Sequence, residues 1–289
     1  MQRESDLREV FVRHRLDHSP ESLELKDLTR FAHDRPGLLL SCSACGSLLR
    51  EEAAPPSYED DLYDPNLMGY LYPRYVSAFE NKTQYKSLLR HRADVLELGS
   101  HLGAFLEAAE NWGWRPTGLD IGRATTNFAR RRNLCVKRVT IHDYRPRQRL
   151  EGVFIWNCFE QLENPTEVLL DCHRLLQRHG VLVLRVPNAN FYRTQKKRLE
   201  TRRSKRALRS LAYNNLLGFP YLCGYTASAL HRFVRANGFH PVAVTGSTLL
   251  TPPYPELSSR IEREWGAIQR RAGESLPADA PWIEIVCRK

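Results

Sequence analysis

The sequence predicts an α/β fold, a seven-stranded and mostly parallel sheet with helices on both faces, preceded by a small amino-terminal cap. Three observations carry this. From about Gly69 onward, short β-rich runs alternate with helical stretches, the pattern of βαβ units. Two further β-rich runs, "HPVAVTG" (240–246) and "WIEIVCR" (282–288), bring the strand count to seven. Between an apolar run and a helix-like pattern, "VLELGSHLGAFLEAA" (95–109) places a turn bearing Gly99 and Gly103.

Taken in order, residues 1–68 are charged and turn-rich, with a lone cysteine pair at Cys42 and Cys45 and the link "EEAAPPSYEDD", and they form the cap. Residues 69–289 form the main domain. It opens with "PRYVSAFENKTQYKSLLRH" (73–91), which reads as one amphipathic helix anchored by Tyr75, Phe79, Leu88 and Leu89. The strand runs are "DVLEL" (94–98), "PTGLD" (116–120), "CVKRV" (135–139), "GVFIW" (152–156) and "GVLVLRV" (180–186); helical stretches fall at 103–112, 123–132 and 165–178.

No apolar run reaches the roughly 18 residues a membrane span needs. The polar opening "MQRESDLREV" predicts no signal peptide. Seven scattered cysteines, an odd number, fit reduced thiols in a cytoplasmic protein better than a disulfide framework. The net charge of +10 points to an anionic partner: nucleic acid, a phosphorylated substrate or an acidic lipid surface. A solubilised surface is the plain alternative.

In an open α/β sheet, ligands bind beyond the carboxyl ends of the strands, so the turn at 99–103 is the place to look. A dinucleotide fingerprint would need a glycine where His101 stands, and no G-x-x-x-x-G-K-[ST] occurs, so the turn is a poor phosphate cradle. Asp120 ends the second run, 21 residues after Gly99, where a carboxylate accepts hydrogen bonds from ribose hydroxyls. The expected ligand is a nucleoside without a pyrophosphate, and S-adenosylmethionine meets that description.

"DVLELGSHLGAFLEAAENWGWRPTGLDIG" resembles the first two motifs of the class I S-adenosylmethionine-dependent methyltransferases. Four more stretches follow in family order: "IHDY" (141–144), "GVFIWNCFEQLENP" (152–165), "LLQRHGVLVLRVPN" (175–188) and "FVRANGFHPVAV" (233–244). The resemblance covers roughly residues 70–289 and is nearest the ubiquinone-biosynthesis O-methyltransferase type of small-molecule enzymes. It implies a Rossmann-like domain with a basic lid insertion at about 190–226. Two departures stand out: Gln161 occupies a position often held by histidine, and His179 one usually held by proline-glycine.

On this reading Gly99 and Gly103, with Ser100 and His101 between them, bring bare backbone to the methionine half of the cofactor. Glu97 orients the loop or meets the cofactor's amino group. Asp120 holds the ribose, Ile121 packs on the adenine, and the resemblance places Asp143 at the adenine amino group. Asn157 and Cys158 border the sulfonium. Displacement of a methyl group asks for positioning and exclusion of water more than covalent chemistry. Where the acceptor must lose a proton, His142 and Glu160 are the candidate bases, with His101 a third.

One Cys-x-x-Cys without a second is half a zinc ribbon. His14 and His18, spaced i, i+4, could complete a site, but the expectation is a degenerate, metal-free cap. "KKRLETRRSKRALRS" (196–210) carries eight Lys or Arg and follows the fifth strand of the domain, on the acceptor side. It suits an anionic acceptor, such as a sugar- or lipid-linked metabolite, or an acidic membrane surface; the alternative is a solvated helix face. Tyr213, Phe219, Tyr221 and Tyr225 wall the acceptor pocket or pack as a lid. RNA methylation is the second functional reading, motivated by charge, although no nucleic-acid module and no N-P-P-Y or D-P-P-Y sequence is present. A silent cofactor-binding interaction protein is the third.

Overall fold

The computed structural model describes residues 2–3, 39–50, 65–202, 207, 222–247 and 280–289. The 51–61 link, His14, His18, Tyr213, Phe219, Tyr221 and the part of the basic run formed by 203–206 and 208–210 lie outside the described residues.

In chain order, β1 (Gln2–Arg3), β2 (Leu39–Ser41) and β3 (Leu48–Arg50) precede helix α1 (Pro65–Glu80). Then come β4 (Asp94–Leu98), α2 (Ala104–Asn111), β5 (Arg115–Leu119), α3 (Arg123–Arg130), β6 (Val136–Lys137) and β7 (Leu150–Trp156). The described chain continues with α4 (Pro165–Leu175), β8 (Leu176–Pro187), α5 (Ala189–Arg202), β9 (Cys223–Gly224), α6 (Ala227–Ala236), β10 (His240–Ser247) and β11 (Trp282–Arg288).

The main sheet has seven strands in the order β10-β11-β8-β7-β4-β5-β6. The pairs β4–β5, β4–β7, β5–β6 and β7–β8 are parallel, and β11 runs antiparallel between β8 and β10. Both faces are covered, so the central strands are apolar on both sides. On β7, Phe154 and Trp156 join the cluster formed with α1 and α2, while Val153 and Ile155 join the cluster under α4 and α6. On β8, Val181 and Val183 take the first side, and Leu182, Leu184 and Val186 the second. This period-2 division is what an extended chain imposes.

Two helix limits differ from expectation. The 73–91 stretch is not one helix: α1 starts at Pro65, carries Pro73 in its interior and ends at Glu80, and Thr83–Leu88 forms a separate 3-10 turn. The buried face of α1 is Met68, Leu71, Tyr72, Val76 and Phe79, a helical stripe that begins upstream of Pro73. The helix at 165–178 stops at Leu175, because Leu176 turns extended and pairs with Leu150 of β7. Asn164 and Pro165 start that helix, the Asn164 side-chain Oδ1 accepting from the Glu167 amide at 3.4 Å.

A second sheet orders β1-β2-β3-β9. The Cys42–Cys45 turn is the tip of the β2–β3 hairpin, and β3 pairs with β9, which lies beyond the basic helix. Arg193 of α5 donates to Ser41 Oγ at 2.6 Å, and Thr226, the N-cap of α6, donates to the Cys45 carbonyl at 3.0 Å. Among the described residues no helix is long and apolar enough to cross a membrane, and no group of three or more His, Cys, Asp or Glu is placed to hold a metal ion.

Candidate active site

The parallel strands β4, β5 and β7 end side by side, with Glu97 level with Gly118 on one neighbour and Phe154 on the other. The chain after β4 must reverse at once into α2, and it does so through Gly99 at φ +72°, His101 at +48° and Gly103 at +80°. Its amides mostly turn inward. Gly99 and Ser100 donate to the Leu119 carbonyl at 2.8 and 3.0 Å, His101 to Asp120 Oδ2 at 2.7 Å and Gly103 to the Ser100 carbonyl at 2.7 Å. That leaves little to cradle a phosphate, as the missing middle glycine implies.

The two glycines are required for protein packing as well as for backbone conformation. A Cβ on Gly99 would lie 2.5 Å from Cys158 Sγ; one on Gly103 would lie 2.7 Å from Leu134 Cδ1 and 3.1 Å from Ala129 Cβ. Gly103 thus lets α2 settle against the turn before β6, a role beyond the backbone approach expected of it.

Asp120 is fastened by its own loop. Oδ2 accepts from His101 N–H, and Oδ1 from the Gly122 amide at 2.8 Å and the Thr125 hydroxyl at 2.9 Å. Three of about four acceptor directions are therefore taken, and the carboxylate organises the turn. Burial raises its pKa, and the three donors oppose that rise. Ile121, next in the chain, leaves 46% of its surface exposed at this rim, which an apolar ring face would cover.

Three carboxyl groups surround Cys158. Glu97 is buried, its Oε2 without a hydrogen-bond partner, and burial together with the Asp120 charge pushes its pKa well up. Glu160 is fully buried, both its carboxyl oxygens lack partners, and burial pushes it up to about 8. Burial, then Glu160, Asp120 and Glu97, hold the Cys158 thiol far above its ordinary range, so it is a neutral packing group and no nucleophile. A buried group of acids with unused acceptors suits a ligand that carries positive charge. Ser100 adds a further buried hydroxyl with no partner in the structure.

The other expected residues divide. Asn157, at φ +46°, accepts from Arg185 through its side chain and from Gln161 Nε2 through its carbonyl at 2.6 Å. His101 is half-buried, edge-on to Tyr75 with ring centroids 6.2 Å apart, and desolvation pulls its imidazole down to about 4, so it is neutral near pH 7. His142 departs from the expected arrangement. Its exposed ring is paired with Asp171 of α4, which also binds Arg174, and none of its contacts is to the turn or to Cys158. The loop after β6 reaches across to α4, and that pairing holds the ring there. Asp143 is exposed and accepts from Thr140 Oγ1 at 2.7 Å. His179, inside β8 where the pairing with β7 shifts register, takes φ +62° in place of proline-glycine.

Sequence reasoning missed a buried polar network that reaches this group through the Arg185–Asn157 hydrogen bond. Arg185 of β8 and Glu284 of β11 are cross-strand neighbours, each 2% exposed. Glu284 accepts from Lys82 at 2.6 Å and from the hydroxyls of Tyr85 and Ser247, while the Arg185 guanidinium lies 4.0 Å from the Trp282 ring centre. The signal is a single charge inside each of the apolar runs "VLVLRVP" and "WIEIVC". Two such charges on adjacent buried strands must find each other.

Solved structures share this architecture. The methyltransferase bound to the Haloferax volcanii Trm112 methyltransferase activator is 15% identical, with a TM-score of 0.55 over 78% of this chain and 94% of its own. A SAM-dependent methyltransferase from Archaeoglobus fulgidus is 17% identical, with a TM-score of 0.53 over 78% of this chain and all of its own. The plantazolicin methyltransferase BpumL, solved with SAH, is 14% identical, with a TM-score of 0.50 over 98% of this chain and 97% of its own. No curated protein matches the sequence. Residues 70–244 match the family model for a methyltransferase domain, more than half of the chain, and the chain therefore belongs to that family, as an S-adenosylmethionine-dependent methyltransferase.

Proposed function

We propose that the recess at the ends of β4, β5 and β7 takes S-adenosylmethionine and that the methyl group passes to a small anionic acceptor, a sugar- or lipid-linked metabolite. The observation that carries the cofactor's placement is Glu97, a buried carboxyl with an unpartnered oxygen, set between Asp120 and Cys158. The bound cofactor supplies an electrophilic methyl group on a cationic sulfonium. Glu97 faces its amino group, Asp120 its ribose and Ile121 its adenine, with Asp143 at the rim. Ser100, His101 and the two glycines shape the wall. Asn157 and Cys158 border the reacting centre.

Glu160 is the proton acceptor for an acceptor hydroxyl or protonated amine. Its pKa of about 8 leaves it half-poised near neutral pH, where general bases work best. His142, held by Asp171, takes no part in it. On the resemblance to the ubiquinone-biosynthesis type, Glu160 stands in for the histidine that Gln161 replaces.

The anionic acceptor rests on α5. Lys197, Arg198 and Arg202 are exposed on a helix that leaves β8 directly, on the acceptor side of the sheet. The test is calorimetry with S-adenosylmethionine, followed by turnover across matched anionic and neutral acceptors. Replacing Lys197, Arg198 and Arg202 by glutamine should leave cofactor affinity unchanged. It should lower kcat/KM for anionic acceptors only, with a deficit that shrinks as salt rises. Equal turnover of both acceptor classes by the variant and the parent would refute the anionic reading.

A further inference from the structure

The opposite edge of the sheet carries a charge of its own. Residues 121–149 hold nine Lys or Arg against one acid, Asp143, a net charge of +8 in a chain whose total is +10. All nine are exposed. Arg123 opens α3, and Arg130, Arg131 and Arg132 close it; Lys137 and Arg138 sit at β6; Arg145, Arg147 and Arg149 line the return to β7. They run from the carboxyl end of the sheet along the β6 edge and on toward its amino end, where Arg149 meets the end of α4 beside β7 and β8.

Arg123 aside, none of them meets a carboxylate among the described residues. Arg130 and Arg138 donate through Nε to the carbonyls of Val136 and Ile121, both at 3.0 Å. Arg145 donates to the Tyr144 carbonyl at 3.0 Å, and Arg149 to that of Arg174. Arg132 lies on the Phe128 ring, 3.7 Å from its centre. Nearby acids are already engaged: Asp94 with Arg115, and Asp171 with His142 and Arg174. A guanidinium anchored by one nitrogen to a carbonyl keeps its charge and its remaining donors for a second ligand, with less freedom to lose on binding.

We propose that this edge binds the phosphate backbone of RNA. Eight of the nine cations are arginines, whose planar donor fork matches phosphate. A track suits a linear polyanion, and the largest hydrophobic side chain exposed along it is Ile121, so there is little to bury in a bilayer. The order of strands puts β6 four places from β8, about 19 Å at ordinary spacing, so the β6 edge is separate from the acceptor side, and Arg149, which does reach β7 and β8, lies at the amino end of the strands, opposite the end at which α5 leaves β8. It docks the enzyme and takes no part in the methyl transfer proposed above.

The test uses the full chain and a short labelled single-stranded RNA, followed by fluorescence anisotropy from about 50 to 200 mM salt. The variant replaces Arg131, Lys137 and Arg147 by glutamine, positions with no side-chain hydrogen bond to lose. The parent should bind, with affinity falling steeply as salt rises. The variant should bind at least tenfold more weakly at the lowest salt, with a slope shallower by about 2, near 0.7 per lost phosphate contact. Its melting temperature and its affinity for S-adenosylmethionine should match the parent's. Absence of RNA binding by the parent, or an unchanged slope in the variant, overturns the proposal. So does a parent that binds vesicles containing anionic phospholipid but not RNA.

Discussion

At Gly99 two constraints act on one residue, a left-handed backbone and a sulfur 2.5 Å from where a methyl group would stand. Gly99→Ala should cost about 2–4 kcal/mol of stability in urea unfolding. Pairing it with Cys158→Gly in a double-mutant cycle should show favourable coupling of roughly 1–2 kcal/mol, since the contact goes and only the backbone strain remains. No coupling would mean that the strand ends can move apart. Asp120→Ala should weaken S-adenosylmethionine binding by about 1.5–3 kcal/mol in calorimetry, the scale of a hydrogen bond to a charged group. Glu160 makes a pH prediction. It holds a proton in the folded state up to about pH 8 and loses it near 4.5 when unfolded, so the folded chain binds more protons in that interval and stability falls as pH rises through it. His101 works in the other direction between about 4 and 6.5, where only the unfolded imidazole is charged. Melting temperature should therefore drop most clearly from pH 6.5 to 8, with Glu97 adding to the fall, and Glu160→Gln should flatten that limb.

Among the elements, the strands were legible because each is a short apolar run bounded by charges and turns, and a parallel sheet covered on both faces needs such runs. "DVLEL" and "WIEIVCR" coincide with β4 and β11 residue for residue. The start of α1 was not legible, because Pro73 looks like a first-turn proline and nothing local reveals that the apolar stripe begins five residues earlier, at Met68. The candidate site followed the same division. Glu97, Gly99 and Asp120 are near one another because parallel strands end in register, which the order of motifs already implies. The place of His142 depends on a loop that crosses to Asp171, a tertiary pairing without a periodic signature. Helix α6 offers a test at this scale. Thr226 caps it, accepting from the Ala229 amide at 3.1 Å, and also donates to the Cys45 carbonyl. Thr226→Ala should cost about 1–2 kcal/mol in denaturant unfolding, and Thr226→Ser should restore most of it.

For the molecule as a whole, acid stability rests on the network around Glu284. Burial works against its charge, but Lys82 and Arg185 overcome that and hold its carboxyl below the ordinary value. Its contribution is thus present above the unfolded carboxylate range and lost as pH falls through the folded pKa. Glu284→Gln should destabilise the fold by about 3–5 kcal/mol near neutral pH, because two cations then share a buried site without their carboxylate, and the variant's acid limb should be shallower. Glu284 belongs to β11, the strand that joins β8 to β10, and this arrangement has a consequence for biosynthesis. Nearly a hundred residues separate Pro187 from Trp282, so at the usual rates of translation the outer edge of β8 waits several seconds for its partner. During that interval a row of backbone donors and acceptors from Val181 to Pro187 is open to any other extended chain. The nascent protein is most vulnerable to misassembly there, and a holdase that shields that one edge would protect the fold until 282–288 arrives.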